Sequence, residues 1–178
     1  MMKIGKTKLE AVIGNIAAME VDAVVNPSNN MLWMGGGASA SIRKNGGDSI
    51  ESDALTRAPA DIGSAVCTSA GTLKARWVIH AVLCDQDLVT NEKNIRQATG
   101  AVFREAETLK CTSIALPMLN TGEYDVEIHT AAAIMVDVTV NYLVTANKSL
   151  VRVVFAADKD SIKDIFSHAL REKFTRHG

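Results

Sequence analysis

The 178-residue chain has little of what marks a specialised class. Its cysteines, Cys67, Cys84 and Cys111, are three in number, widely spaced and without a C-x-x-C. That argues against paired disulfides and a zinc ribbon, and leaves three reduced, mostly buried thiols as the expectation. Charge of either sign is not in excess: the formal net charge is -1, too small to gather nucleic acid or an anionic membrane. The N-terminal "MMKIGKTKLEAVIG" lacks the long apolar run of a signal peptide, and no stretch reads as membrane-spanning. A cytoplasmic protein with no membrane partner is expected. There is no HExxH, no G-x-S-x-G and no EF-hand spacing, so neither a metal nor a serine triad is expected, and no cofactor. Only three prolines occur, and no linker, repeat or low-complexity segment interrupts the chain, which reads as one domain over residues 1–178.

What is present is an alternation of strand-like and helix-like segments. "KLEAVIG", "DAVVN", "SAVCTSAG", "RWVIHAVL", "TSIALPML" and "LVRVVFAAD" are short, rich in β-branched residues and bounded by turn residues. "ASASIRKNGG" and "DSIESDALTR" read as short helices, the first stopping at Gly46 and Gly47. Between Asn91 and Lys110, Ile95, Ala98, Val102, Ala106 and Leu109 recur at helical spacing. "VEIHTAAAIMVDVTVNYLVT" is too long for a strand, and "SIKDIFSHALREKF" closes the chain with Ile162, Ile165, Phe166, Ala169 and Leu170 on one face. The expected architecture is α/β: a three-layer fold, a mixed six-stranded sheet sandwiched by helices.

Two loops stand out, both at the carboxyl ends of strands, where open α/β sheets hold ligands. One is "NPSNNMLWMGGGAS" after Val25; the other is "NTGEYD" after "IALPML". Three consecutive glycines, Gly35 to Gly37, are costly to order. Opening a helix, they offer free backbone N–H groups and the positive end of a helix dipole, which suits a phosphate or diphosphate. Gly35, Gly37 and Ala40 fit G-x-G-x-x-A, but nine residues separate them from the strand, so a dinucleotide fingerprint is disfavoured. No Gly-Lys-Ser/Thr makes a Walker loop. A surface loop whose glycines merely turn is the plain alternative. Trp33 has two readings, a lid over the ligand or a plug into the core.

Taken in order, "GNIAAMEVDAVVNPSNNMLWMGGGASASIRKNGG", "RWVIHAV" and "IALPMLNTGEYDV" resemble the macro domain family, the ADP-ribose-binding fold. The resemblance runs from about Gly14 to the last helix. It implies that Asn29 bonds the distal ribose hydroxyls, and that the backbone of Gly36, Gly37, Ala38 and Ser39 wraps the diphosphate. Asn120, Thr121, Gly122, Glu123 and Tyr124 would close over the phosphates. Ile16, Ser28, Gly35 and Asp158 complete the expected set. Three positions depart from the family pattern. Asn15 stands in place of the aspartate that accepts from adenine. Ala157 stands in the slot of a stacking aromatic. Ser39 stands where hydrolytic members carry a loop aspartate, and the paired glutamates of poly(ADP-ribose) glycohydrolases have no match.

The expected function is an ADP-ribose-binding module whose partner is ADP-ribose or an ADP-ribosylated protein. The alternative is an enzyme: a mono-ADP-ribosyl-protein or O-acetyl-ADP-ribose hydrolase, or an ADP-ribose 1″-phosphatase, with Asn29 the one catalytic candidate. Enzyme status stays open, since Ser39 is too weak a base without a partner. A nucleic-acid module lacks the basic surface. His80 reads as a satisfied core histidine, His129 as solvated or capping, and Cys67 and Cys84 as inert thiols.

Overall fold

The β-branched runs and their glycine, asparagine and proline stops become elements at close to the expected places. In a computed structural model describing residues 1–120 and 125–175, the chain runs β1 (Met2–Ile4), β2 (Thr7–Ile13), a 3₁₀ turn (Ile16–Ala18), and β3 (Ala23–Asn29). Then follow α1 (Gly37–Gly46), α2 (Ser49–Leu55), β4 (Ala65–Ser69), β5 (Trp77–Cys84), and α3 (Glu92–Thr108). β6 (Ser113–Leu116), α4 (Ile128–Thr145), β7 (Arg152–Ala157) and α5 (Asp160–Thr175) complete it. The sheet has seven strands rather than six, in the order β1-β2-β7-β6-β3-β5-β4. The additional strand is β1, which folds back antiparallel on β2 with Met2 opposite Leu9. Three residues are too few to show alternation, so "MKI" carries no strand signal of its own.

Five central strands are parallel, and β1 and β4 are antiparallel edges. Parallel sheets need cover on both faces. Val25, Ile79, Leu116, Val153 and Phe155 point into the larger core under α3, α4 and α5. Val24, Val78, Ala115, Val154 and Ala156 point into a second core under the 3₁₀ turn, α1 and α2. α4 corrects one expectation: by length and composition it is apolar enough to cross a membrane, with a mean hydropathy of 1.3. Its place between α3 and α5 over the sheet accounts for that composition, with Ala131, Ala132, Met135 and Val136 buried.

Where the sheet is open matters most. β6 pairs with β3 only at Ala23 and Val24, whereas β5 follows β3 along its whole length. The two strands part just before Pro27 and Pro117, residues without an N–H to offer a ladder. The gap between these strand ends is the floor of the cleft described next.

Candidate ligand-binding site

A cavity of about 930 Å³ opens at that gap. It is lined by Pro27, Ser28 and Asn29 of β3, Pro117, Met118 and Asn120 beyond β6, and the whole run Gly35–Ser39. Gly14, Asn15 and Ile16 form one end with Ala156, Asp158, Lys159 and Ile162; Trp33, Cys84 and Leu88 lie towards the other. The volume is that of a ligand cleft. Asp158 and Lys159 are its sole charged lining groups among the described residues. An anion here would therefore be held chiefly by main-chain N–H groups.

The glycines are bare for two different reasons. At Gly35 a Cβ would stand 2.5 Å from the Trp33 ring, so this position is empty to let the indole fold onto the backbone. At Gly36 and Gly37 a Cβ would project into open space, and Gly37 has φ +57°, which L side chains adopt at a cost. Gly36 caps α1 with no side-chain hydrogen bond, so the first turn of the helix meets the cleft with its donors free of side-chain partners.

The apolar quartet before the glycines divides its work. Leu32 and Met34 are fully buried, Leu32 in the left-handed region at φ +63°. A buried non-glycine residue held there costs about 1–2 kcal/mol and persists only where its surroundings fix it, as at ligand loops. Trp33 is not sunk into the core: it is half-buried, lines the cleft, and its Nε1 donates to Gln86 Oε1 at 2.7 Å. Gln86 also donates to Asn30 Oδ1 at 2.9 Å, which ties the loop after β5 to the loop after β3. Sequence reasoning passed over Gln86, because nothing local marks a partner 53 residues away.

Asn29 is less free than expected. Its Nδ2 donates to the Trp33 carbonyl at 3.0 Å, and its Oδ1 accepts from Met31 N–H at 3.0 Å and Gln86 Nε2 at 3.3 Å. One N–H remains to meet a ligand, so Asn29 shapes the loop at least as much as it offers contacts. Asn15 is also committed: Oδ1 accepts from Ala17 N–H at 2.9 Å, capping the 3₁₀ turn, and from Ser41 Oγ at 2.8 Å.

Ser39 reaches deeper than a loop residue. Its Oγ donates to Asn26 Oδ1 at 2.6 Å and lies 3.1 Å from the Pro27 carbonyl. Asn26 Nδ2 stands 3.1 Å from His80 Nδ1, and His80 Nε2 stands 2.9 Å from Thr68 Oγ1. This row crosses three strands to α1 and is buried throughout. Since Asn26 Oδ1 takes the serine proton, Asn26 faces His80 with an N–H. His80 Nδ1 must then accept, and Nε2–H donates to Thr68. Desolvation holds the imidazole neutral, its pKa lowered to about 4. A histidine does stand near Ser39, but an amide lies between them and the lone pair on Nδ1 is already used. Among the described residues Ser39 therefore has no general base.

Ala157 does not join the site. It is fully buried in the larger core, and its neighbours Ala156 and Asp158 line the cleft instead. "VVFAA" is apolar throughout, so the sequence gives no sign of which residue faces which way. Thr121, Gly122, Glu123 and Tyr124 lie outside the described residues. Cys84 lines the cleft, but burial first, then Asp87, Asp85 and Asp125, push its thiol up to about 11, and Cys67 is raised to about 11 by burial. Neither is a thiolate at neutral pH. His129 is exposed, and its backbone N–H is capped by Glu127 Oε1 at 3.0 Å. Among the described residues no group of three or more His, Cys, Asp and Glu side chains is placed to hold a metal ion.

The macro domain family profile matches residues 25–135. This chain belongs to the macro domain family. A macro domain-containing protein of Caldanaerobacter subterraneus is 33% identical over 94% of this chain and 98% of its own length. An uncharacterised protein of Mycobacterium bovis is 34% identical over 94% of this macro domain, which spans only 46% of that relative's length. Among solved structures, a mutant of the Oceanobacillus iheyensis macrodomain superposes with a TM-score of 0.86 at 25% identity, covering 98% of this chain and 97% of the other. The same macrodomain with ADP also gives 0.86 at 25% identity, over 98% and 96% of the two chains. A Trypanosoma brucei macrodomain in complex with ADP-ribose shares the fold, with a TM-score of 0.83 at 21% identity over 91% of this chain and 68% of that one.

The glycine loop of the domain is braced from α2. Glu51 Oε2 accepts the Met34 N–H, and Oε1 pairs with Arg43 Nη1 at 3.0 Å. Glu51→Ala would strand the Met34 donor, an unsatisfied part-buried group costing about 1–2 kcal/mol. We expect that loss in urea unfolding, together with a several-fold weaker ligand constant although Glu51 does not line the cleft. Arg43→Ala, at a side chain 42% exposed, should cost less. Equal losses for the two variants would show that the ion pair, not the Met34 bond, braces the loop.

Proposed function

We propose that this macro domain binds ADP-ribose, free or carried on a modified protein, and releases it without efficient chemistry. The diphosphate lies against Gly36–Ser39, the base lies at the Asn15 and Ile16 end, and the distal ribose lies under Trp33. One observation carries the reading: an uncapped helix start with bare glycine backbone lines a cleft whose walls, among the described residues, offer only Asp158 and Lys159 as charged side chains. Main-chain donors suit a diphosphate, and the apolar faces of Ile16, Ala156 and Ile162 suit a base. Structures of the related Oceanobacillus protein with ADP support the same reading. A cytoplasmic setting and an ADP-ribosylated protein partner belong to this proposal.

Hydrolysis is the weaker reading. Attack on the anomeric carbon needs a water held in line and a group to take its proton. Ser39 spends its proton inward on Asn26. Among the described lining residues the one carboxylate is Asp158, at the base end. Calorimetry with ADP-ribose should show one-to-one binding, and an assay on a mono-ADP-ribosylated protein should show at most slow release. A rate near 1 s⁻¹, the low end of ordinary enzymes, would overturn the binding-module reading.

A further inference from the structure

Gln86 does not line the cleft, yet its whole amide is spent on the loop that does. Oε1 accepts from Trp33 Nε1–H at 2.7 Å, and Nε2 donates to Asn30 Oδ1 at 2.9 Å and to Asn29 Oδ1 at 3.3 Å. The indole N–H can only donate, which fixes the orientation of the amide. Asn29 Nδ2 in turn donates to the Trp33 carbonyl at 3.0 Å, so Gln86, Trp33 and Asn29 close a ring of hydrogen bonds. The six-membered ring of the indole rests on Gly35, where a Cβ would stand 2.5 Å from Cζ3. Trp33 is thus held at both ends while half-buried.

The segment that carries Gln86 is itself stiff. Asp85 Oδ1 accepts from Asp87 N–H at 3.0 Å, Asp87 Oδ1 accepts from Val89 N–H at 2.8 Å, and Thr90 Oγ1 donates to the Leu83 carbonyl at 2.7 Å. An exposed amide tied to a neighbouring loop gives up rotamer freedom, and surface hydrogen bonds alone return little. What the ring achieves is to set two cleft-lining groups before any ligand arrives: the indole, and the one Asn29 N–H that no protein group takes. Preorganisation of this kind raises affinity by lowering the ordering cost of binding. Resting on the proposed placement of the distal ribose under Trp33, we propose that Gln86 is a positioning residue for ADP-ribose, acting through Trp33 and Asn29 without touching the ligand.

The test is a double-substitution cycle read by calorimetry with ADP-ribose. Gln86→Ala should weaken binding about three- to tenfold, the range that exposed hydrogen bonds supply. Trp33→Phe keeps a ring at the cleft but removes the N–H, so Gln86→Ala should cost a smaller factor in that background than in the parent. Iodide quenching of fluorescence reads the indole directly. Trp33 and Trp77 are the two tryptophans, Trp77 Nε1 is buried, and the Trp33→Phe protein supplies the Trp77 background. Quenching of Trp33 should rise in ligand-free Gln86→Ala, a change that a role in stability alone would not produce. Gln86→Met, which keeps the length without the bonds, gives the same readings should the alanine variant melt early. An indole equally accessible in the parent and the Gln86 variants, or an equal cost of Gln86→Ala in both backgrounds, overturns this inference alone. A parent that does not bind ADP-ribose overturns the reading on which it rests.

Discussion

Lowering the pH from 6.5 to 4 is expected to remove about 3 kcal/mol from the stability of this domain, with His80 as the cause. Burial is the first reason its pKa falls from 6.5 to about 4; Arg57 adds to the fall and Asp53 opposes it. The folded protein then binds fewer protons than the unfolded chain between those two values. Stability therefore rises with pH through the window and is lost as the pH drops, at about 1.4 kcal/mol per pH unit. Carboxylates with lowered pKa, such as Asp22 and Asp137, act below their ordinary range near 4, so the upper part of the window belongs to histidine. Urea midpoints at pH 7, 5.5 and 4.5 measure the effect. In His80→Gln the slope above pH 4.5 should flatten, whatever the variant's absolute stability. An unchanged slope would sink the assignment. Protonating His80 would also put an N–H at Nδ1 against the Asn26 amide. Asn26 must then turn, Ser39 is left with the Pro27 carbonyl as its acceptor, and ligand affinity should fall over the same window.

Gly37→Glu should weaken ADP-ribose binding at least tenfold, or about 1.4 kcal/mol. The side chain would leave a backbone at φ +57° and enter the open space of the cleft, bringing a negative charge to the place assigned to the diphosphate. Two costs are mixed here, and a second substitution separates them. Asparagine tolerates positive φ better than most residues and carries no charge. Gly37→Asn should thus melt close to the parent and lose less affinity than Gly37→Glu. Calorimetry beside thermal unfolding reads both. A folded Gly37→Glu protein that binds as tightly as the parent would move the diphosphate elsewhere.

How much of this was legible beforehand depends on the range of the signal. Helices α3 and α5 write their buried faces into the sequence at three- and four-residue spacing, and the structure buries Ile95, Val102, Phe166 and Leu170 there. The glycine triplet before α1, and the stop at Gly46 and Gly47, are equally local. Ala157 was misplaced because an all-apolar strand hides its own alternation; only packing against α5 decides which residue turns inward. The Ser39–Asn26–His80–Thr68 row was out of reach for another reason. Its bonds join residues 13, 54 and 12 positions apart, and no single segment announces them. Pro27 and Pro117 were visible as letters, yet their meaning, the parting of two neighbouring strands, exists only once those strands lie side by side.

That parting has a mechanical side. The sheet is two leaves, β1-β2-β7-β6 and β3-β5-β4, stitched along a short parallel ladder where Ala23 stands opposite Ile114 and Val24 opposite Ala115. The cleft straddles the unstitched length beyond, with Pro27 and Ser28 on one leaf and Pro117 and Met118 on the other. A molecule seated there acts as a rivet, adding to the load already shared by those pairs, by the Asp22 bonds to Thr112 and Ser113, and by the two cores that span both leaves. The open seam of the sheet and the cleft are thus one place, and occupancy and rigidity rise together.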